Sequence, residues 1–558
     1  MAHDAEVVSR MRILRAGLSL CLASICSAAP ANGPKPLIVS VTGGSIRGGF
    51  ELALPGGASF KGIPFALPPV KDLRWREPQP VRPWKDIRDA TRVSASCIQP
   101  AFGTGRFLKP LAERYGVAYN PAPIAISEDC LYLNVWTPQW PVKDSMPVMV
   151  WIHGGSNVIG SGGESTYDGA ALARKGVVVV TINYRLGVFG FFAHPELTRE
   201  SPHHASGNYG LLDQIAALEW VRQNVARFGG DPRQVTVFGE SAGSNDAGLL
   251  LCSPLADGLF QRVIMESGPV LSLAHHPSPL EQGEQFGDKV ARSLGLPGDL
   301  RKLRESTPES VVAAAREVAA GMADPGIVLD GWCLREAPAK IFAEGRQMPV
   351  DMLIGNNGRE ISVFRDPSSA GKSTLGGDSV KQTIRLFYGS EALLVTSAFL
   401  FDNALHRTEA ADSWINDVIC TCPEMAMSAL EAETGHRAYV YQFLRSIPGK
   451  GQESLGSFHS LEVPYVFNGF RLPEWNWLPF QPIDFALGEA IQSYWTNFAK
   501  TGNPNGPNLP DWPAFDLKTQ TAMEFTQEGK AIARAHSRPA LCDLDMSALK
   551  KRLNQVSK

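Results

Sequence analysis

The sequence predicts an α/β protein built on a large, mostly parallel sheet with helices on both faces. Three observations carry that prediction. Short apolar, β-branched runs recur through the middle of the chain. Stretches with helical apolar spacing separate them. One run passes through a glycine-flanked serine straight into a helix pattern. Such alternation favours parallel strands, because each parallel pair needs a crossover long enough to hold a covering helix.

Taken in order, residues 37–49 and 51–60 read as short β segments separated by glycines, a hairpin-like start. Residues 61–83 are rich in Pro and Arg and read as an ordered surface loop. Residues 101–127 carry several Pro and Gly with little periodicity and read as a long loop. The alternation then begins. Residues 147–152 form an apolar strand, 177–183 a strongly β-branched one, and 235–238 a third, while 262–265 and 352–354 are further short buried strands. Residues 211–228 have a helical apolar pattern, and 242–251 continue as a helix directly after the third strand. Helical segments within 279–320 and 380–434 supply lid-like helical and loop insertions. The Gly/Ser-rich stretch 368–377 reads as mobile.

The 558 residues are enough for a large core, and a length prior alone suggests three or four domains. A net charge of −3 gives no electrostatic reason to expect nucleic acid as a partner, and no long basic run points to anionic lipid. The N-terminus reads as an export signal over residues 1–29. Arg10, Arg12 and Arg15 precede a short apolar stretch, and Ser27-Ala28-Ala29 and Ala29-Pro30-Ala31 are both suitable cleavage triplets. Met11 is an alternative start. The apolar run is short for a membrane anchor, and no other stretch is long and apolar enough to span. Seven cysteines lie beyond this segment: Cys97, Cys130, Cys252, Cys333, Cys420, Cys422 and Cys542. Export permits disulfides, the odd number leaves at least one thiol over, and no pair has the spacing of a metal site.

The chemistry centres on Gly239-Glu240-Ser241-Ala242-Gly243. A serine presented on a sharp strand-to-helix turn needs neighbours without side chains, which is the reason for glycine two places before and after. The positive end of the following helix lies beneath any anion formed there. A serine hydroxyl also needs a base and a pair of oxyanion donors. His153-Gly154-Gly155-Ser156, after the 147–152 strand, offers bare main-chain N–H groups for that purpose. No cofactor or metal is required for such chemistry.

At these residues the chain resembles the type-B carboxylesterases, the group that includes cholinesterases and bacterial para-nitrobenzyl esterases. Phe228 through Gly243 is similar to the family's nucleophile signature, and Glu128-Asp129-Cys130-Leu131-Tyr132-Leu133-Asn134 to its second signature. Two more stretches, Gly207 to Gln214 and Phe498 to Pro504, also match, and the likeness runs over residues 37–544. It implies the α/β-hydrolase fold and one large domain, residues 30–558, in place of several. It places the acid at Glu360 and the base at His459, in the order Ser241, Glu360, His459. The oxyanion donors would be the N–H groups of Gly155, Ser156 and Ala242. Ser156 stands where Gly or Ala is usual and Asn157 where an aromatic is frequent, so that wall is expected to be more polar. A supporting network of Glu240, Ser267 and Glu462 is implied behind His459, although Glu462 reads equally well as plain packing. So are a Cys97–Cys130 disulfide, ion pairs Arg74–Glu128 and Arg185–Asp213, and pairing of Cys542 with Cys422 or Cys420.

The expected activity is hydrolysis of small-molecule carboxylic esters. Choline esters are disfavoured, because Tyr119 is the nearest equivalent of the tryptophan on which cholinesterases bind their cation. Aryl esters, carbamates, polyester oligomers and the ester side chains of a toxin stay open. A non-catalytic adhesion relative would have lost Ser241 or His459, whereas an amidase or transacylase would share the same residues. Oligomeric state is not legible.

Overall fold

The structure is a computed structural model that describes residues 37–272, 276–364, 415–536, 542–543 and 546–547. Contacts divide the chain into Met1–Leu37 and Ile38–Lys558, and all elements below belong to the second unit. The expected 368–377 segment and the 380–414 part of the helical layer fall outside the described residues.

Val178–Ile182 is β-branched throughout and buried along its length, the composition of a strand sealed between two layers. It belongs to a sheet of eleven strands among the described residues. Numbered within that sheet, these are β1 (Gly49–Phe50), β2 (Ala58–Pro64), β3 (Tyr132–Thr137), β4 (Met146–Ile152), β5 (Val178–Ile182), β6 (Gly230–Glu240), β7 (Arg262–Glu266), β8 (Asp351–Asn357), β9 (Ala438–Phe443), β10 (Thr521–Phe525) and β11 (Ala531–Ala535). Their spatial order is β11-β10-β9-β8-β7-β6-β4-β5-β3-β2-β1. From β5 across to β10 every pair is parallel; β3 and β11 close the parallel run with antiparallel partners.

Alternate side chains fill the two faces. Met149 and Trp151 of β4 join Phe238, Ile264, Leu353 and Tyr441 in an aromatic-rich core. Helix Pro482–Thr501 closes it with Ile491, Trp495 and Phe498. Val148, Val150 and Ile152 point the other way and are equally buried, so both faces are covered. This is the predicted α/β-hydrolase architecture.

Three readings change. The chain over 51–57 turns rather than pairs, and the hairpin forms earlier, between Ile38–Val41 and Gly44–Arg47. The loop expected over 101–127 contains α1 (Gly105–Arg114), whose Leu108, Leu111 and Ala112 are buried although Pro110 interrupts its hydrogen bonding. Burial of that apolar stripe outweighs the lost backbone bond. Finally, β3, β9, β10 and β11 add strands that no sequence pattern had marked.

Cys97 is bonded to Cys130 and Cys422 to Cys542; Cys252, Cys333 and Cys420 are buried free thiols. Arg74 meets Glu128 at 2.6 Å and Arg185 meets Asp213 at 2.7 Å, the second pair almost wholly buried. Among the described residues no helix is long and apolar enough to cross a membrane.

Candidate active site

Strand β6 ends at Glu240 and helix α2 (Ala242–Leu251) begins two residues later, which leaves Ser241 alone on the turn. Its backbone sits at φ 56° and ψ −121°, a sparsely populated conformation for a residue with a side chain. The glycines permit it. A Cβ on Gly243 would stand 2.0 Å from the Ile152 carbonyl oxygen, and one on Gly239 would stand 2.6 Å from the backbone of Gly243. The Ser241 N–H donates to the Glu266 carbonyl at 2.8 Å, tying the turn to β7.

Glu360 follows β8 and His459 follows β9, so the sheet brings both to its carboxyl edge near Ser241. His459 Nδ1 lies 2.5 Å from Glu360 Oε2. The other Glu360 oxygen accepts from the Asn357 N–H at 2.5 Å, and its own N–H donates to Asn416 Oδ1. His459 Nε2 faces Glu240 Oε1 at 3.2 Å, and among the described residues Ser241 Oγ makes no hydrogen bond to the ring. The Ser460 hydroxyl donates to the same Glu240 oxygen at 2.6 Å. Burial alone would lower the basicity of His459, but the carboxylates of Glu240 and Glu360 outweigh it and push its pKa up to about 10.

Behind the ring lies a cluster of buried acids. Ser267 Oγ donates to Glu462 Oε1 at 3.3 Å, and Asn357 Nδ2 donates to the other oxygen of Glu462. Glu240 stands apart from that pair, on the Nε2 side of His459. Burial raises Glu240, and it raises Glu462 well above the usual carboxylate range, helped by neighbouring carboxylates. Burial also pushes Glu266 up to about 8, with one oxygen accepting from Trp495 Nε1.

On the opposite side, Gly155 and Ser156 continue from β4 with φ of 104° and 55°. Their N–H groups have no protein acceptor among the described residues, and that of Ala242, as the first residue of its helix, has no intrahelical one. Gly155, Ser156, Glu240, Ser241 and His459 share the lining of a cavity of about 130 Å³ with Phe107, Leu108, Phe364 and Trp475. Most of this wall is apolar. Asn157 is not part of it: its side chain turns away toward Asp246, so the expected polar contribution of Asn157 is corrected. Sequence reading missed Ser460, which is marked only by its place beside His459, and the apolar wall from α1 and Phe364. A larger cleft of about 200 Å³ near Trp75 and Trp332 carries Arg76 and Glu200 in its lining, which meet each other at 3.1 Å. Among the described residues no group of three His, Cys, Asp or Glu side chains could hold a metal.

A family model described as the carboxylesterase family matches residues 35–542. The chain belongs to the carboxylesterase family. As a carboxylesterase it is a carboxylic ester hydrolase. It is 36% identical to the para-nitrobenzyl esterase of Bacillus subtilis, over 88% of this chain and 95% of that one. It is 35% identical to the fumonisin B1 esterase of Sphingopyxis macrogoltabida, over 84% of each. Among solved structures it is similar to a PNB esterase with a TM-score of 0.75 at 32% identity, covering 91% of this chain and 99% of that one. A Geobacillus stearothermophilus carboxylesterase gives 0.76 at 31% identity, with the same coverage.

Proposed function

We propose that this carboxylesterase is an exported serine esterase that cleaves small to medium esters through an acyl-enzyme on Ser241. The observation that supports this most is the 2.5 Å contact of Glu360 with His459, which lines the same cavity as Ser241. As ester enters, His459 Nε2 exchanges Glu240 for Ser241 Oγ and, in its neutral form, takes the hydroxyl proton as oxygen attacks the carbonyl carbon. Glu360 holds the Nδ1–H tautomer and stabilises the imidazolium, and the charge of Glu240 adds to that stabilisation. The carbonyl oxygen, now an anion, is received by the N–H groups of Gly155, Ser156 and Ala242. His459 returns the proton to the departing alcohol, and water repeats the sequence on the acyl-enzyme. Ser267 and Glu462 act at one remove, through Asn357.

Two disulfides are consistent with removal of residues 1–29 on export and with residues 30–558 folding as one domain in an oxidising compartment. The relatives' names make para-nitrobenzyl esters and fumonisin B1 the first natural tests of substrate range. The decisive assay uses para-nitrophenyl esters of graded chain length, with Ser241→Ala as control and an anilide for comparison. Short and medium esters should be turned over and the control should be inert. Activity that survives Ser241→Ala would reject the assignment, and a preferred anilide would make the protein an amidase.

A further inference from the structure

Asn157 comes directly after two residues that line the cavity and whose N–H groups have no protein acceptor among the described residues, yet its own side chain points into the protein. Nδ2 donates to Asp246 Oδ1 at 3.0 Å, and Oδ1 lies 3.0 Å from the Tyr184 hydroxyl. The Asn157 carbonyl accepts from the Gly187 N–H at 2.6 Å. Asp246 is fully buried on α2, the helix that starts immediately after Ser241. Its second oxygen accepts from Gln214 Nε2 at 2.6 Å.

This arrangement is unusual on two counts. First, a buried carboxylate normally needs a cation, and among the described residues no ion pair engages Asp246; its ligands are two neutral amides. Burial accordingly pushes its pKa up to about 7 against those donors. Second, Gly155, Ser156 and Asn157 form three consecutive residues of positive φ, at 104°, 55° and 58°. Asn tolerates that region better than most residues, and turn bonds from the Val158 and Ile159 N–H groups to the Gly155 carbonyl, each 3.0 Å, hold the loop's own curve, but they do not fix it against the rest of the site. The side-chain contact from Asn157 reaches α2, whose first N–H is that of Ala242. The loop bearing two donors is thereby fastened to the helix that bears the third donor and begins directly after the nucleophile.

We propose that Asn157 and Asp246 form a tether that sets the orientation of the Gly155 and Ser156 N–H groups relative to Ser241, which makes both of them positioning residues. The proposal rests on the reading that these N–H groups receive the oxyanion. Its consequence is specific. Disturbing the tether weakens stabilisation of the tetrahedral intermediate while leaving ground-state binding of the ester nearly intact.

Exchange of the two side chains tests this. Asn157→Asp keeps a residue that tolerates positive φ but sets two carboxyl groups against each other. It should lower kcat by about 100-fold with KM changed less than about threefold. Affinity for a trifluoromethyl ketone, whose carbonyl carbon bonds to Ser241 Oγ as the hydroxyl proton passes to His459 and the carbonyl π pair moves onto oxygen to give a hemiketal anion, should fall in parallel. The double variant Asn157→Asp with Asp246→Asn restores the pair in reverse. The new carboxylate at 157 accepts from Tyr184 and from the new amide at 246, whose oxygen accepts from Gln214. It should recover at least about tenfold of the lost kcat and of the ketone affinity. Asn157→Gly, which tolerates the backbone and removes the side chain, provides the same reading if Asn157→Asp does not fold, with an expected loss of about tenfold. The tether is refuted if a folded single variant retains kcat within about threefold, or if the folded exchange variant is no faster than Asn157→Asp. Ser241→Ala separates the two ideas: turnover surviving that change removes the esterase reading itself, whereas unaffected Asn157 variants beside an inert Ser241→Ala remove only the tether.

Discussion

The two walls around Ser241 are built from opposite materials. One is made of ionisable side chains: His459 held between Glu360 and Glu240, with Glu462 behind. The other is made of uncharged main chain, the N–H groups of residues 155 and 156, backed by the amide of Asn157. In the proposed mechanism the first wall changes charge during the reaction, and its carboxylates favour the imidazolium. In the same mechanism the second changes nothing, and its value depends on donors already aimed before the anion forms. Side-chain substitutions therefore act directly on the first wall and only through positioning on the second.

The most severe way to sharpen this contrast is His459→Ala, which should lower kcat by about a million-fold on para-nitrophenyl esters, as loss of a base in an interdependent set does. Glu360→Gln should follow at about ten thousand-fold, because the amide cannot fix the Nδ1–H tautomer or stabilise the imidazolium. Glu240→Gln should show mainly in the pH profile. Glu240 raises the His459 pKa, so removing its charge lowers that pKa and moves the acid limb of kcat/KM toward lower pH. A limb that stays in place or moves upward would break the assignment of charge work to this wall. Ser156→Ala should have the smallest effect, within about threefold in kcat, since the N–H is retained. It should broaden tolerance for apolar acyl groups, and an unchanged acyl-chain profile would remove Ser156 as a specificity element.

Much of this site was legible in the sequence because its geometry is local. Gly239 and Gly243 are required by contacts within a few residues of Ser241 and with the end of β4, so the turn shows in the string. The parallel strands β4 to β8 show for a similar reason, since burial on both faces leaves unbroken apolar runs. Placement of Glu360 and His459 came from family resemblance, because nothing local distinguishes either from other acids and histidines. The direction of Asn157 was beyond both routes. It depends on a positive φ and on a carboxylate 89 positions away, and neither leaves a mark near residue 157. Helix α1 was hidden by Pro110, whose local effect opposes the burial that stabilises it.

The acids packed beneath the charged wall bear on the conditions this protein survives. Glu266 is buried and pushed up to about 8, and Glu424 and Glu462 lie well above the usual carboxylate range for the same reason. In the unfolded chain each of these would release its proton near pH 4.5. Between that pH and the folded-state value the native form binds more protons, so the contribution of Glu266 to stability is full below about 4.5 and is lost as pH rises toward 8. His459 adds to the same trend, from 6.5 toward about 10. Glu266→Gln, an amide that still accepts from Trp495, should flatten the loss of Tm between pH 5 and 8. These acids favour the native state in acid surroundings and withdraw that support toward alkali, while buried His153, held down to about 4, works in the opposite direction as pH falls below 6.5.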